Sequence, residues 1–174
     1  EGSAWTMTNS NVSDNIAPYN GGGFGFWNHN GEDLNATLIN VTIENNTAQP
    51  GWFVGHGGGV WANNSNTVFQ DCIIRNNTAG GNGGGINYFE GGWPELYNCV
   101  IDGNTSNAAG GGVYIHDDGG WNNNGLTMDR CLVTNNSSTT YSAAIASAGN
   151  AGINRITNST IVGNSGGGAA VEAY

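Results

Sequence analysis

The chain has 174 residues, 31 of them glycine and 29 asparagine, and only 9 % are charged: three arginines, no lysine and thirteen acids, for a net charge of −10. That balance excludes a nucleic-acid binder, whose phosphate affinity rests on clustered Lys and Arg, and apolar runs of only a few residues offer no helix able to cross a bilayer. The length fits one domain over residues 1–174, and six Trp, six Tyr and five Phe among regularly spaced aliphatics argue against a disordered chain.

Glycine interrupts every window of about 15 residues, so helices fail and short strands between Gly/Asn turns remain. Met7 to Ala17 is the first of six copies of one pattern; the others are Leu38 to Ala48, Phe69 to Ala79, Leu96 to Ser106, Met128 to Ser138 and Ile156 to Gly166. The asparagines that close them, Asn15, Asn46, Asn77, Asn104, Asn136 and Asn164, stand 31, 31, 27, 32 and 28 residues apart. Aligned on them, Met7/Leu38/Phe69/Leu96/Met128/Ile156 and Val12/Ile43/Ile74/Ile101/Val133/Ile161 form apolar columns. Between them runs a column of small or apolar residues, Ser10, Val41, Cys72, Cys99, Cys131 and Ser159. These face inward, and the mixed column Thr8, Ile39, Gln70, Tyr97, Asp129 and Thr157 faces outward. The alternation skips one residue at Asn9, Asn40, Asp71, Asn98, Arg130 and Asn158, mostly the types that tolerate a left-handed corner. A third strand follows each glycine triplet or its substitute, beginning at Phe24, Val60, Ile86, Val113 and Ile145.

In-register repeats of three short strands stack at about 4.8 Å into parallel sheets. The expectation is an all-β, right-handed, single-stranded parallel β-helix of about six rungs, its hand taken from the general chirality preference. The rungs are approximately 4–35, 36–66, 67–93, 94–125, 126–153 and 154–174. The closing asparagines can then form an internal ladder, each side-chain amide bonding to the next rung.

The repeat L-x-N-C-x-I-x-x-N-x-A-x-x-x-G-G-G-V resembles right-handed β-helix repeats of secreted and surface proteins. It resembles most the polymorphic outer-membrane protein adhesins and autotransporter passengers. Gly111-Gly112-Val113-Tyr114 occupies the place of their glycine-glycine-aliphatic motif, and Phe69-Gln70-Asp71 and Cys99 to Asn104 that of the motif ending in Asn. The likeness spans about residues 4–171; it implies the fold and an extracellular or cell-surface location, and it carries no catalytic residue.

Pectin hydrolases of this fold use Asn-Thr-Asp, Asp-Asp, Gly-His-Gly and Arg-Ile-Lys motifs. Here Gly55-His56-Gly57 precedes Asp117-Asp118, the reverse of that order; Asn-Thr-Asp is missing, and Arg155-Ile156 is followed by Thr157. A lyase needs a strong base beside Ca²⁺-binding carboxylates, but Arg75 and Arg130 fall at outward or corner positions. The chain therefore reads as non-enzymatic, without a cofactor. Asp117 and Asp118 are weak Ca²⁺ candidates in a Gly/Asn-rich loop. Cys72, Cys99 and Cys131 read as core groups, with one disulfide between adjacent rungs geometrically allowed. The outward columns are no regular threonine array of the ice-binding kind.

Trp27, Trp61, Trp93 and Trp121 lie in or just after the third strand while the inward places there are already filled. Some of these indoles are expected on the surface, where rows of large aromatics mark sugar or protein contact. Ten Asn-X-Ser/Thr sequons occur, Asn40 among them, and of these Asn104 and Asn136 belong to the internal ladder. Candidate glycosylation sites are Asn11, Asn35, Asn45, Asn63, Asn76, Asn135 and Asn158. No capping helix is visible at either end, which fits either a piece cut from a longer solenoid or ends covered by neighbouring copies; the expected partners are copies of the chain stacked end to end as a surface filament. The second expectation is an adhesive, glycan-binding segment; polysaccharide cleavage is the third.

Overall fold

The structure, a computed structural model, describes residues 4–28, 34–49, 54–117, 125–149 and 154–174. Every regular element among them is a β-strand, and every strand pairing is parallel. The third sheet contains Phe24–Trp27, Val60–Asn63, Ile86–Phe89, Val113–Asp117, Ile145–Gly149 and Val171–Ala173, stacked in chain order. A chain that returns to the same sheet once per repeat, always in the same direction, is a coil: a parallel β-helix.

The other two sheets follow from the repeat. The first is built from Ala4–Ser13 and Leu34–Glu44 and then, in later turns, from pairs such as Ser65–Gln70 with Ile73–Arg75 and Pro94–Tyr97 with Val100–Asp102. Its register places Leu38 opposite both Met7 and Phe69, and Ile43 opposite both Val12 and Ile74, as the aligned columns require. The second sheet was not separated in the sequence reading. It consists of two-residue strands, Ile16–Ala17, Thr47–Ala48, Thr78–Ala79, Thr105–Ser106 and Ser137–Ser138, directly after each ladder asparagine.

Two columns of left-handed residues turn the coil. Asn9, Asn40, Asp71, Asn98, Arg130 and Asn158 all have φ between 49 and 54°, so the one-residue skip is a real corner at each repeat. The second column is Asp14, Asn45, Asn76, Gly103, Asn135 and Gly163, each just before a ladder residue and each with positive φ. Asn, Asp and Gly occupy eleven of these twelve places because they adopt this region at least cost; Arg130 is the exception. Corner side chains also bond between turns, as Asn40 Nδ2 does to Asn9 Oδ1 at 2.8 Å and Asn98 Nδ2 to Asp71 Oδ1.

Leu38, Phe69, Leu96 and Met128 are buried in one inward column and Ile43, Ile74, Ile101 and Val133 in another. In the small-residue column the hydroxyls of Ser10 and Ser159 donate across the corner to the carbonyl two residues back, both at 2.7 Å. Cys72, Cys99 and Cys131 make the equivalent contact at 3.3, 3.3 and 3.4 Å as free thiols, so the disulfide that the spacing allows is not formed.

The asparagine column is a continuous hydrogen-bonded ladder. Asn46, Asn77, Asn104 and Asn136 are fully buried. Asn77 Oδ1 accepts from Asn46 N at 3.0 Å and from Asn46 Nδ2 at 3.1 Å, while Asn77 Nδ2 donates to Asn104 Oδ1 and to Ile43 O, both at 2.9 Å. The same four-bond pattern repeats at Asn104 and Asn136, and the ladder runs from Asn15 to Asn164. Each buried amide thus satisfies its oxygen twice and its nitrogen twice, and turn backbone that would otherwise be orphaned gains an acceptor.

Two outward carboxylates also tie successive turns. Glu44 accepts from Arg75 Nε at 2.7 Å and from Asn11 Nδ2 at 3.1 Å, and Asp129 accepts from Asn158 Nδ2 and Thr157 Oγ1, both at 2.8 Å. The Arg75 hydrogen bond, aided by Asn11, holds the Glu44 carboxyl below its ordinary 4.5, and Asn158 with Thr157 holds Asp129 below 3.8. A carboxyl with a depressed folded-state pKa stabilises the fold above its unfolded value and loses that contribution as pH falls through the folded one. Melting temperature is therefore expected to drop as pH is lowered from about 4.5 toward ~2.5, and to drop less in the E44Q/D129N double variant. Equal drops in the two proteins would show that other groups govern the acid response.

Candidate functional site

Alternation along the third sheet points every second side chain outward. Gly25, Trp61, Asn87 and Tyr114 are in register in one outward column, and Trp27, Asn63, Phe89 and His116 in the next. Residues from the turns between the second sheet and the glycine triplets rise beside them: Tyr19, Asn20, His56 and Asn82. Together these twelve residues enclose a groove of about 830 Å³ that spans four turns.

Its surface is mainly aromatic. Trp27, 63 % exposed, meets Trp61 edge to face with ring centroids 6.0 Å apart. Phe89 stacks on His116 at 5.3 Å, and Tyr114 lies parallel to His116 at 6.2 Å. The turn side is held by a short polar ladder. His56 N donates to Asn20 Oδ1 at 2.9 Å, Asn82 N donates to His56 Nδ1 at 3.0 Å, and Ala109 N donates to Asn82 Oδ1 at 3.0 Å. Accepting at Nδ1 requires the neutral imidazole with its proton on Nε2, and burial lowers the His56 pKa in the same sense.

The polar groups of the groove are amides, imidazoles, the hydroxyls of Tyr19 and Tyr114 and the indole N–H groups of Trp27 and Trp61. Among the described residues its lining contains no Asp, Glu, Lys or Arg. Arg75, Arg130 and Arg155 all belong to the strands and corners of the first sheet. Asn87 is 2 % exposed, lies between Trp61 and Tyr114, and its Oδ1 has no hydrogen-bond partner; Ser65 Oγ, Thr67 Oγ1 and the Tyr88 hydroxyl are also buried without one, but those three residues do not line the groove.

The site residues read from the sequence divide. Trp27 and Trp61 come together in the groove. Trp93 is exposed but sits in the turn leading to Pro94–Tyr97, where its backbone N–H donates to Asn66 Oδ1, and it does not line the groove. Trp121 and Asp118 lie outside the described residues. Asp117 ends its strand at an inward, buried place, and no group of three His, Cys, Asp or Glu among the described residues could hold a metal ion. Of the sequon asparagines, Asn11, Asn35, Asn45, Asn76, Asn135 and Asn158 are exposed, whereas Asn63 lines the groove. His56, noticed only as part of a Gly-His-Gly triplet, proves to be a rim residue. Asn87, Phe89, Tyr114 and His116 were readable as the outward partners of Ile86, Tyr88, Val113 and Ile115.

A solenoid of parallel sheets carrying an aromatic groove on one flank is the class that fold and site define. The chain belongs to the right-handed β-helix family: its match to the right-handed β-helix region extends over residues 1–174, which also gives the coil its hand. That family includes pectate-lyase-like enzymes and proteins without enzymatic activity. Neither the curated proteins nor the solved structures offer a significant match. No helix among the described residues is long and apolar enough to cross a membrane.

Proposed function

We propose that this chain is a non-catalytic glycan-binding β-helix acting at or outside the cell surface, and that the groove of the third sheet is its binding face. The observation that carries this reading is the row of exposed or half-exposed rings, Trp27, Trp61, Phe89 and His116, recurring turn by turn among amide side chains. Pyranose rings stack on aromatic faces through their C–H surfaces while their hydroxyls take amide hydrogen bonds, and aromatic positions spaced by ~4.8 Å suit a polymer of small rings. The lack of a carboxylate among the described lining residues favours binding over glycoside cleavage, which needs a placed acid and base. Absent lysine, low charge and the many sequons support an extracellular setting, with Asn63 unmodified because a glycan there would stand in the groove.

Removing the Trp61 ring should weaken glycan binding by about tenfold or more, equivalent to ~1.4 kcal/mol. Calorimetric titration of W61A beside the parent chain reads this directly, and unchanged affinity would move the binding face elsewhere. Chromatography of the same mixtures should show no shortened glycan. Head-to-tail stacking of copies, the first expectation from the sequence, is a separate proposal; it is read by electron microscopy of the same samples, where fibres would support it and dispersed monomers would end it.

A further inference from the structure

Resting on the groove reading, we infer that the glycan is uncharged and that Asn87 is its anchoring residue, accepting a sugar hydroxyl at Oδ1. Two independent observations lead there. The first is the orphaned amide. Asn87 lies in the outward column with Trp61 on one side and Tyr114 on the other, and lines the groove. It is nearly fully buried, and its Oδ1 finds no partner in the protein. Buried carbonyl oxygens are almost always paired, because leaving one unpaired forfeits the hydrogen bonds it made in water. The same chain satisfies every amide of its internal ladder, so an unpaired one beside a groove marks a position completed by something that binds there. The missing group is a donor, and a sugar hydroxyl held between two aromatic rings supplies one.

The second observation is charge. Among the described residues the groove lining has no Lys or Arg, the His56 imidazole is neutral by its hydrogen bond from Asn82 N, and the three arginines lie on the first sheet. A uronate or sulfated polymer would bring its anions to a protein of net charge −10 without a counterion to meet them. A neutral polymer has no such cost, and its hydroxyls match the amides of Asn20, Asn63, Asn82 and Asn87. Asn87 thus serves as a specificity-determining residue, and the rings around it supply contact area.

Calorimetric titration of the full chain with neutral β-linked hexasaccharides of glucose, mannose, xylose and N-acetylglucosamine, and with hexagalacturonate, tests both parts. At least one neutral oligosaccharide is expected to bind at least tenfold more tightly than hexagalacturonate. Equal or tighter binding of hexagalacturonate would overturn the uncharged class while leaving a glycan-binding groove intact. N87L, which removes the acceptor at similar size, should lose about tenfold in affinity for the neutral ligand yet melt at the same or a higher temperature without it, because an unpaired buried oxygen has been removed. Loss of affinity together with a lower melting temperature would assign Asn87 a structural role and overturn the anchor, as would unchanged affinity. Should no oligosaccharide bind the parent chain, the groove reading itself fails. If W61A loses binding and N87L does not, only the anchor fails.

Discussion

Asn104→Ala should unfold this protein more readily than any comparable surface change, at a cost of about 3–6 kcal/mol summed over the groups it orphans. Asn104 Oδ1 accepts from both the backbone N and the Nδ2 of Asn77, and its own Nδ2 donates to Ile74 O. All three partners are buried with no water to replace the lost bond, and each unpaired buried group costs about 1–3 kcal/mol. Asn136 Oδ1 keeps its bond from the Asn104 backbone, so the damage runs mainly toward the preceding turn. Asn11→Ala is the matched comparison: its amide bonds Glu44 on the exposed face, and the change should stay within about 0.5 kcal/mol. Urea unfolding of the two variants decides the matter; a cost for N104A as small as that for N11A would mean that the ladder is ornamental to stability.

The second large effect is steric. Gly84 is the middle glycine of its triplet, and a Cβ there would lie 2.5 Å from Gly111 O and 2.6 Å from the Thr105 carbonyl atoms. Both obstacles are backbone, one in the next turn and one in the second sheet, so no side chain can move aside. Gly84→Ala is therefore expected to cost about 3 kcal/mol or more, or to prevent folding. Gly58 meets the same pair of contacts with Gly84 and Thr78. In the fifth repeat Ala143 takes the equivalent place, and there the sixth repeat reaches the third sheet seven residues after its ladder asparagine instead of nine. The tolerance at Ala143 thus coincides with a shorter turn stacked above it. Ala143→Gly should cost only about 1 kcal/mol, the ordinary entropic effect of glycine. Denaturation midpoints of G84A and A143G that differed little would contradict the close-approach account.

Columns were legible in the sequence wherever one physical demand acts at every turn. The corner needs a left-handed residue, and Asn9, Asn40, Asp71, Asn98, Arg130 and Asn158 announce it by composition even though one of them is an arginine. The ladder needs an amide, and no residue other than Asn appears in it. The second left-handed column, Asp14 to Gly163, escaped notice because it stands next to the ladder and reads there as an asparagine doublet. The two-residue strands of the second sheet were missed for a different reason: Thr47–Ala48 or Ser137–Ser138 is too short to show a period.

The groove was only half legible. Trp27 and Trp61 follow from alternation. Tyr19, Asn20, His56 and Asn82 come from turns of unequal length, where nothing in the spacing says which side chains will face the sheet. Trp93 shows the converse error. It falls seven residues after Ile86, past the end of the third-sheet strand, where Gly91 and Gly92, with φ of 73 and 112°, turn the chain toward Pro94–Tyr97 of the first sheet.

The asparagine ladder has one more consequence, which is electrical. Every amide from Asn46 to Asn136 accepts at its oxygen from the preceding repeat and donates from its nitrogen to the oxygen of the following one, its second N–H returning to a carbonyl of the preceding turn. Aligned in a dry core, such dipoles add head to tail as peptide dipoles do in an α-helix, and each polarises its neighbours. The coil therefore carries a polarity along its axis that no count of acids and arginines reveals: the oxygen end faces the first turn and the nitrogen end the last, superimposed on the chain's net negative charge.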